Sequence, residues 1–162
     1  MKKSLILIII SLTFLIDLYA EISIKSLIGK PVPDMPSQSS LVKTENTNRS
    51  FGIKVGRWNG KQVFIFSKNI TPDSSKANWI VLDAIQAPMI PKDYEYIAGT
   101  CEHNDIPNPG SMKPIIGGVK FDYENLNSIS VETYQAWKFD FKLGKFVEID
   151  KSGIKCFEFM VN

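Results

Sequence analysis

Apolar and polar side chains alternate over residues 129–141, and this feature constrains the fold more than any other part of the sequence. Trp137 and Phe139 fall on the apolar parity, whereas Lys138 and Asp140 fall on the polar one. A period of two is typical of a half-buried antiparallel strand, because successive side chains point to opposite faces of a sheet. The segment therefore predicts a strand whose apolar face, including Trp137, lies in a core.

Shorter runs rich in β-branched and aromatic residues follow one another through the chain. Asn59-Gly60 separates two of them, and this pair tolerates the positive φ of a two-residue hairpin turn. Gly117-Gly118 interrupts another run, which predicts a bulge or a close backbone approach. The other predicted strands cover residues 51–56, 62–66, 78–85, 94–101, 115–123, 146–149 and 154–159. A short helix is the alternative for residues 78–85, although their length and their β-branched and aromatic content favour a strand.

No segment after residue 50 shows an apolar period of 3.6 with helix caps, so helix should be sparse. Turn-forming residues separate the strands at short spacings, which is typical of antiparallel connections. The sequence therefore predicts a mainly β fold. We expect an antiparallel meander that forms a small sandwich or a partly open barrel, with little helix beyond the N-terminal segment.

Residues 1–20 have the three parts of a secretory signal peptide. Lys2 and Lys3 precede the apolar run Leu5–Ile16, and Ala20 supplies a small residue at the cut. A helix that spans a bilayer needs roughly 20 apolar residues, so this shorter run favours cleavage after Ala20. An uncleaved anchor or a buried core helix is the alternative.

The segment after the predicted cut, residues 21–50, differs in composition from the rest of the chain. Pro31, Pro33 and Pro36 cannot donate ladder hydrogen bonds, and the polar residues after them offer little to bury. The sequence therefore predicts an irregular, partly mobile arm over this segment. Residues 51–162 then form a single β domain, which is an ordinary size for one.

The charge of the chain is close to neutral. Its formal net charge of +2 falls to +1 if Lys2, Lys3 and Asp17 leave with the signal peptide. Basic residues are interspersed with acidic ones, and no run of them approaches the length of a phosphate-tracking patch. We therefore expect no nucleic-acid partner, and we expect membrane contact only during export.

Cys101 and Cys156 are the only cysteines, and both lie in the part that would be exported. An oxidising compartment favours a disulfide between them. The bond would span a sequence separation of 55 residues, which is worth about 4 kcal/mol in the chain-entropy treatment. A metal site or a reactive thiol is the alternative, although no CxxC motif or second histidine accompanies the pair.

Short motifs follow one another through residues 94–156. They are Ala98-Gly99-Thr100-Cys101-Glu102, Pro114-Ile115-Ile116-Gly117-Gly118-Val119-Lys120, Ala136-Trp137-Lys138-Phe139-Asp140, Gly144-Lys145-Phe146 and Gly153-Ile154-Lys155-Cys156. In this arrangement the chain resembles a group of small, uncharacterised exported proteins of Gram-negative bacteria. The resemblance implies a disulfide that links strands and a periplasmic or secreted location. It implies no reaction.

Motifs for common enzyme chemistry are missing from the sequence. The chain has no G-x-S-x-G elbow, HExxH, P-loop or GxGxxG motif, and His103 is its only histidine. Common hydrolase schemes therefore lack a general base. Converging carboxylates are the alternative, with Glu95, Glu102, Asp122 and Glu132 as candidates. We expect no catalytic residue, no cofactor and no bound metal.

Candidate partner contacts lie at a turn and in a loop. Trp58 precedes the Asn-Gly turn, where side chains are often exposed, and Arg57 lies beside it. Glu102, His103 and Asp105 lie at the start of a turn-rich segment that could present contacts. A packing role for Trp58 and a plain surface histidine are the alternatives.

The sequence therefore predicts an exported, non-enzymatic domain that binds another macromolecule, such as an inhibitor or immunity-type protein with a protein partner in the cell envelope. The missing catalytic motifs, the disulfide-closed β architecture and the extended loop favour this hypothesis. The first alternative is a small hydrolase that uses converging carboxylates. The second is a structural envelope subunit that pairs by strand addition, with residues 21–50 as the donor.

Overall fold

The computed structural model describes residues 24–43, 50–71, 77–103, 114–125 and 129–158. These residues form β-strands and a single-turn 3-10 helix, Tyr123–Asn125. All pairing between the strands is antiparallel, as the sequence predicted. The strands are β1 (Ser37–Lys43), β2 (Ser50–Trp58), β3 (Lys61–Asn69), β4 (Trp79–Gln86), β5 (Glu95–Ala98), β6 (Cys101–His103), β7 (Ile115–Lys120), β8 (Glu132–Asp140), β9 (Lys145–Ile149) and β10 (Ile154–Cys156).

The strands form two four-stranded sheets and a two-stranded ribbon. The first sheet has the order β1-β2-β3-β4, and the second has the order β5-β7-β8-β9. The ribbon pairs β6 with β10. The two sheets pack against each other and do not close into a barrel, so the predicted sandwich is confirmed.

The β2–β3 hairpin forms as the Asn59-Gly60 pair predicts. Asn59 has a φ of 48° and Gly60 a φ of 78°. Both residues therefore take the left-handed conformation that a type I′ turn requires. The turn sets Trp58 opposite Lys61 and so fixes which residues of β3 face each side of the sheet.

Aromatic rings from both sheets fill the space between them. Phe66 of β3 stacks on Phe139 of β8 with ring centroids 3.6 Å apart. The centroid of Phe64 lies 5.1 Å from that of Trp137. All four side chains are buried, which confirms the predicted core position of Trp137. The rings supply much of the apolar area that holds the sandwich together.

A buried carboxylate joins the two sheets beside these rings. Asp83 of β4 accepts a hydrogen bond from the backbone nitrogen of Phe146 in β9, with 2.7 Å between the two atoms. A buried carboxylate is stable only where donors replace the water that it loses. The bond therefore fixes the position of β9 against β4.

Residues 24–36, which we call the strap, cover part of the outer face of the first sheet. The strap pairs with the β4 edge, where Gly29 N donates to Val81 O at 2.8 Å and Val32 N donates to Trp79 O at 3.0 Å. It then crosses the sheet and continues into β1 at the opposite edge. Strand β3 is therefore buried on both faces, so buried and exposed residues do not alternate at its centre. The buried apolar side chains of the strap are Ile24, Leu27 and Met35.

The ribbon covers the outer face of the second sheet and carries the predicted disulfide. Cys101 of β6 pairs in register with Cys156 of β10, and their sulfur atoms are bonded. Gly117 of β7 lies beneath the bond, since a Cβ added there would be 2.5 Å from Cys156 Sγ. The register also shifts between Gly118 and Val119. The Gly-Gly pair therefore marks both a close approach and a bulge.

The structure differs from the sequence prediction within the arm, residues 21–50. The polar segment Ser37–Lys43 forms β1, which pairs with β2 over its whole length. An edge strand is held by backbone hydrogen bonds, so its side chains need not be apolar. A search for apolar patterns therefore misses this strand. Residues 21–23 and 44–49 lie outside the described residues.

The alternation predicted over residues 129–141 is broken at Tyr134. The register between β7 and β8 shifts there and leaves Tyr134 as the extra residue of a bulge. Trp137, after the bulge, faces the core between the sheets. Val131, before it, is exposed and lies just outside the strand. The bulge therefore limits the buried face to the second half of the predicted strand.

The strand predicted over residues 94–101 is two strands in the structure. The chain turns at Gly99, so Glu95–Ala98 joins the second sheet and Cys101–His103 joins the ribbon. This turn carries Cys101 to the layer where Cys156 lies.

The predicted signal peptide, residues 1–20, lies outside the described residues, as do residues 104–113 of the loop predicted from Glu102 to Lys113. Within the described ranges, no helix has the length and apolar character needed to cross a membrane.

Candidate functional site

The residues predicted to contact a partner lie on opposite sides of the sandwich. Arg57 is exposed, and Trp58 packs against the cluster beneath the strap. Glu102 and His103 lie on β6 in the ribbon, beyond the second sheet. The structure therefore does not bring the two groups together, and their role in binding stays a prediction. Asp105 lies outside the described residues.

His103 lies close to the turn that contains Asp150 and Ser152. The pKa of the Asp150 carboxyl is lowered, chiefly by a backbone hydrogen bond from Ser152 and to a smaller extent by His103. Across the described part of the chain, no three His, Cys, Asp or Glu side chains cluster as metal ligands would.

Three tyrosines lie at one end of the second sheet, and two of them, Tyr94 and Tyr134, are in contact. Tyr94 directly precedes β5, Tyr123 begins the 3-10 turn after β7, and Tyr134 is the bulged residue of β8. Because these three strands are adjacent in the sheet, they bring together residues far apart in sequence. We call the three tyrosines, with Glu95 and Glu132, the tyrosine surface.

Neighbouring side chains hold each of these tyrosines in place. The ring centroids of Tyr94 and Tyr134 are 5.5 Å apart, and the Lys151 ammonium lies 5.9 Å from the Tyr134 centroid. The Tyr123 hydroxyl donates a hydrogen bond to the Glu95 carboxylate. A bulge redirects the side chain that it carries, which accounts for the outward position of Tyr134.

Hydrogen bonds to carboxylates change the acidity of two of the phenols. The bond to Glu132 raises the pKa of Tyr94 to about 12, and the bond to Glu95 raises the pKa of Tyr123 to about 12. Ionising either phenol would break this bond and place two negative charges side by side. At neutral pH the phenols are therefore neutral donors.

Negative charge predominates on and around the tyrosine surface. Asp93 is paired with Lys120 at 2.6 Å, and this hydrogen bond lowers the pKa of the Asp93 carboxyl. The other carboxylates near the tyrosines outnumber the remaining ammonium groups. The acidic residues are Asp93, Glu95, Asp122, Glu124 and Glu132, and the basic ones are Lys92, Lys120 and Lys151.

A concave site, which we call the cleft, lies on the outer face of the first sheet beside the strap. It has a volume of about 500 Å³, and Leu41 and Trp79 are among its walls. Gly52 leaves its floor open, since a Cβ added there would lie 3.0 Å from Ser67 Oγ and 3.3 Å from the Trp79 indole. Asp34 is the single carboxylate among its described lining residues. Paired-carboxylate hydrolysis would need a second one.

Sequence reasoning missed the tyrosine surface and the cleft because both depend on strand pairing. Tyr94, Tyr123 and Tyr134 each have a glutamate within two residues, which is the one local signal that they share. Nothing in those short segments shows that β5, β7 and β8 are neighbours. The cleft likewise needs the strap to cross between two edges of one sheet.

No known family model matches the chain, and no curated protein or solved structure is significantly similar to it. A sandwich of sheets supports many unrelated functions, so the fold alone does not decide between them. The function is therefore inferred from the tyrosine surface, the cleft and the exposed strand edges.

Replacing Glu132 with glutamine is expected to return the pKa of Tyr94 from about 12 toward its ordinary value of 10.0. Absorbance of phenolate during a pH titration measures this change. In the parent chain the hydrogen bond stabilises the folded state. This stabilisation is fully present below pH 10 and is lost as the pH rises through 12. Glu148→Gln, an exposed change on β9, is the control. An unchanged titration in E132Q would show that the carboxylate does not hold this phenol.

Proposed function

We propose that the protein is an exported, non-enzymatic binding protein of the inhibitor or immunity type, and that its tyrosine surface contacts a basic face of a protein partner. The observation that carries this proposal is that Tyr94 lies against Tyr134 and is bonded to Glu132, while Tyr123 is bonded to Glu95 at the same end of the second sheet. Tyrosine is enriched in protein interfaces because its ring covers a large area at a small loss of side-chain entropy.

The tyrosine surface is positioned in advance for binding. Tyr123 is 55% exposed, yet its hydroxyl is bonded to Glu95. Tyr94 is fixed in the same way by Glu132 and lies against the Tyr134 ring. Side chains that are already ordered lose less entropy when a partner binds, which favours tight binding.

The charge of this surface favours a basic partner. Its carboxylates attract lysine and arginine, and exposed phenol rings can accept a cation on their faces. Lys151 already takes this position over Tyr134 within the chain. An acidic surface of this kind also increases the rate of encounter with a basic protein, and added salt reduces that rate.

Two observations support an exported location. The first 20 residues have the pattern of a cleavable signal peptide, and a disulfide joins Cys101 to Cys156. A partner in the periplasm or outside the cell is consistent with both, and the expected resemblance to exported proteins of Gram-negative bacteria would imply the same location.

The two alternatives have less support. Glu95 and Glu132, which the sequence offered for the hydrolase, are each bonded to a tyrosine hydroxyl, and the cleft contains one carboxylate among its described lining residues, so neither place favours paired-carboxylate hydrolysis. Strand donation would need residues from the arm, but Ser37–Lys43 is already paired with β2 of the same chain. We therefore place binding through the tyrosine surface first.

Affinity capture from the cell envelope of the source organism tests the proposal. The bait is the protein without residues 1–20, compared with a Tyr123→Ala and Tyr134→Ala double variant. We expect the parent to retain a basic protein and the double variant to bind it about thirtyfold more weakly, as hot-spot tyrosines do. Isothermal calorimetry on the purified pair measures the ratio, and added salt should weaken binding.

Phe141→Ala is the matched control because it removes another exposed aromatic ring, 46% accessible, from the β8–β9 turn. This variant should bind the partner as the parent does. Equal binding by the tyrosine double variant would reject the tyrosine surface as the contact. Recovery of an acidic protein, or of none, would reject the proposed partner class.

A further inference from the structure

We propose that the outer edge of β1, together with the cleft beside it, binds an uncharged extended peptide segment of another protein by strand addition. The segment would become a fifth strand of the first sheet, and alternate side chains would enter the mouth of the cleft. Gln38 of β1 lines a pocket with Tyr94 and Glu95 of the tyrosine surface, but the cleft lies on the other face of the first sheet, and neither proposal depends on the other.

Strand β1 is a regular and open edge. Its seven residues pair with β2 in unbroken register, from Ser37 opposite Gly56 to Lys43 opposite Ser50. Natural edge strands are usually protected by a proline, a bulge or a charge in mid-strand. The interior of β1, residues 38–42, has none of these. Among the described residues, no strand pairs with its outer side.

The opposite edge of the first sheet, which β4 forms, is covered by the strap. There the strap pairs with β4, and Val81 N donates to Lys30 O at 2.9 Å. The strap therefore forms hydrogen bonds with backbone groups of β4 that would otherwise be available to a partner. The contrast between β4 and β1 leaves one long edge of the first sheet available for pairing.

The cleft lies on the same side as alternate residues of β1. Ser39 and Leu41 line it from the edge strand, and Gly52 and Lys54 line it from β2. Leu41 is 53% exposed although it is a leucine in a strand. A side chain opposite Leu41 on an added strand would lie about 5 Å away and could cover it. Specificity in strand addition comes from such pockets for every second residue.

The composition of the cleft indicates the chemistry of the segment. Its walls include the apolar side chains of Val32, Leu41 and Trp79. Asp34 and Lys54 are its charged lining residues and have opposite signs, so the cleft has no net charge with which to select a charged side chain. Alternating apolar residues without charge fit best. Seven residues of edge correspond to about 23 Å of extended peptide.

A second copy of this chain fits the edge less well. Two copies of β1 pairing edge to edge would bury only a seven-residue strand on each side. Stable dimers usually bury roughly 800 Å² on each partner, which is more than one strand edge supplies. A free peptide segment can also insert side chains into the cleft, whereas a strand already in a sheet cannot adjust its position as easily.

Selection from a library of random nine-residue peptides displayed on phage tests the proposal. The target is the protein without residues 1–20. We expect the enriched peptides to carry uncharged apolar residues at alternate positions and to bind Leu41→Lys about tenfold more weakly or worse. Hydrogen exchange provides the second measurement. Amides of residues 37–43 that exchange freely should become protected when a selected peptide is added.

Leu143→Lys is the matched control, because Leu143 is 61% exposed but lies in the β8–β9 turn, away from the cleft. This variant should bind the peptides as the parent does. Ser39→Lys is the second edge variant, to be used if Leu41→Lys does not fold. Failure to enrich any peptide, equal binding by the edge variants, or protection outside β1 would overturn the proposal. A dimer in sizing chromatography that Leu41→Lys dissolves would instead identify a second copy as the occupant.

Discussion

Replacing Cys101 and Cys156 together with serine is expected to lower the free energy of unfolding by about 4 kcal/mol. The bond spans 55 residues of sequence, and its loss restores that freedom to the unfolded chain. It also loosens the ribbon, which is otherwise held by the buried side chain of Ile154 and by the hydrogen bond from Thr133 Oγ1 to Ile154 O. Urea unfolding followed by circular dichroism measures the change. A loss below about 1 kcal/mol would contradict this role for the bond.

Treatment of the native protein with a thiol reductant is the control for this prediction. The two cysteines are 1% and 0% exposed, so the reagent should reach them only when the ribbon opens. We therefore expect the folded parent to resist reduction, and we expect reduction to become fast in urea. Rapid reduction of the folded protein would show that the ribbon does not shield the bond.

Replacing Phe64 with alanine is expected to lower the free energy of unfolding by about 3–5 kcal/mol. Phe64 is 0% exposed, and its ring contacts Tyr96, Trp137 and Phe146 from the opposite sheet. Truncation would leave a cavity at the centre of the sandwich that these large rings cannot fill. The same urea titration measures the loss.

Phe141→Ala is the matched control, because it makes the same substitution at a partly exposed position. Its ring is only partly covered, so its removal should lower the free energy of unfolding by less than half as much. Equal losses for Phe64→Ala and Phe141→Ala would mean that the core between the sheets is not the main source of stability.

Local sequence predicts the parts of this fold that local chemistry determines. Asn59-Gly60 fixes its hairpin because few residues accept its backbone angles. The alternation around Trp137 predicts a buried face because one side of β8 meets the core. Gly117 predicts a close approach because any side chain there would meet the disulfide.

Other parts depend on tertiary contacts that short segments do not encode. Ser37–Lys43 pairs through its backbone, so its polar side chains carry no signal of a strand. The bulge at Tyr134 depends on the register of β7 against β8. Both candidate binding sites follow from such pairings, which is why residue patterns indicated Arg57 and His103 instead.

The course of the strap bears on how a growing chain can fold. The strap precedes β1 in sequence but pairs with β4, which is synthesised after β1, β2 and β3. The β2–β3 hairpin can close from neighbouring residues, whereas Ile24 and Leu27 reach their final contacts only after β4 has emerged. Until then the outer side of β3 exposes Val63 and Ile65, a surface that chaperones bind. The first of the described residues to be synthesised are therefore among the last to reach their final contacts.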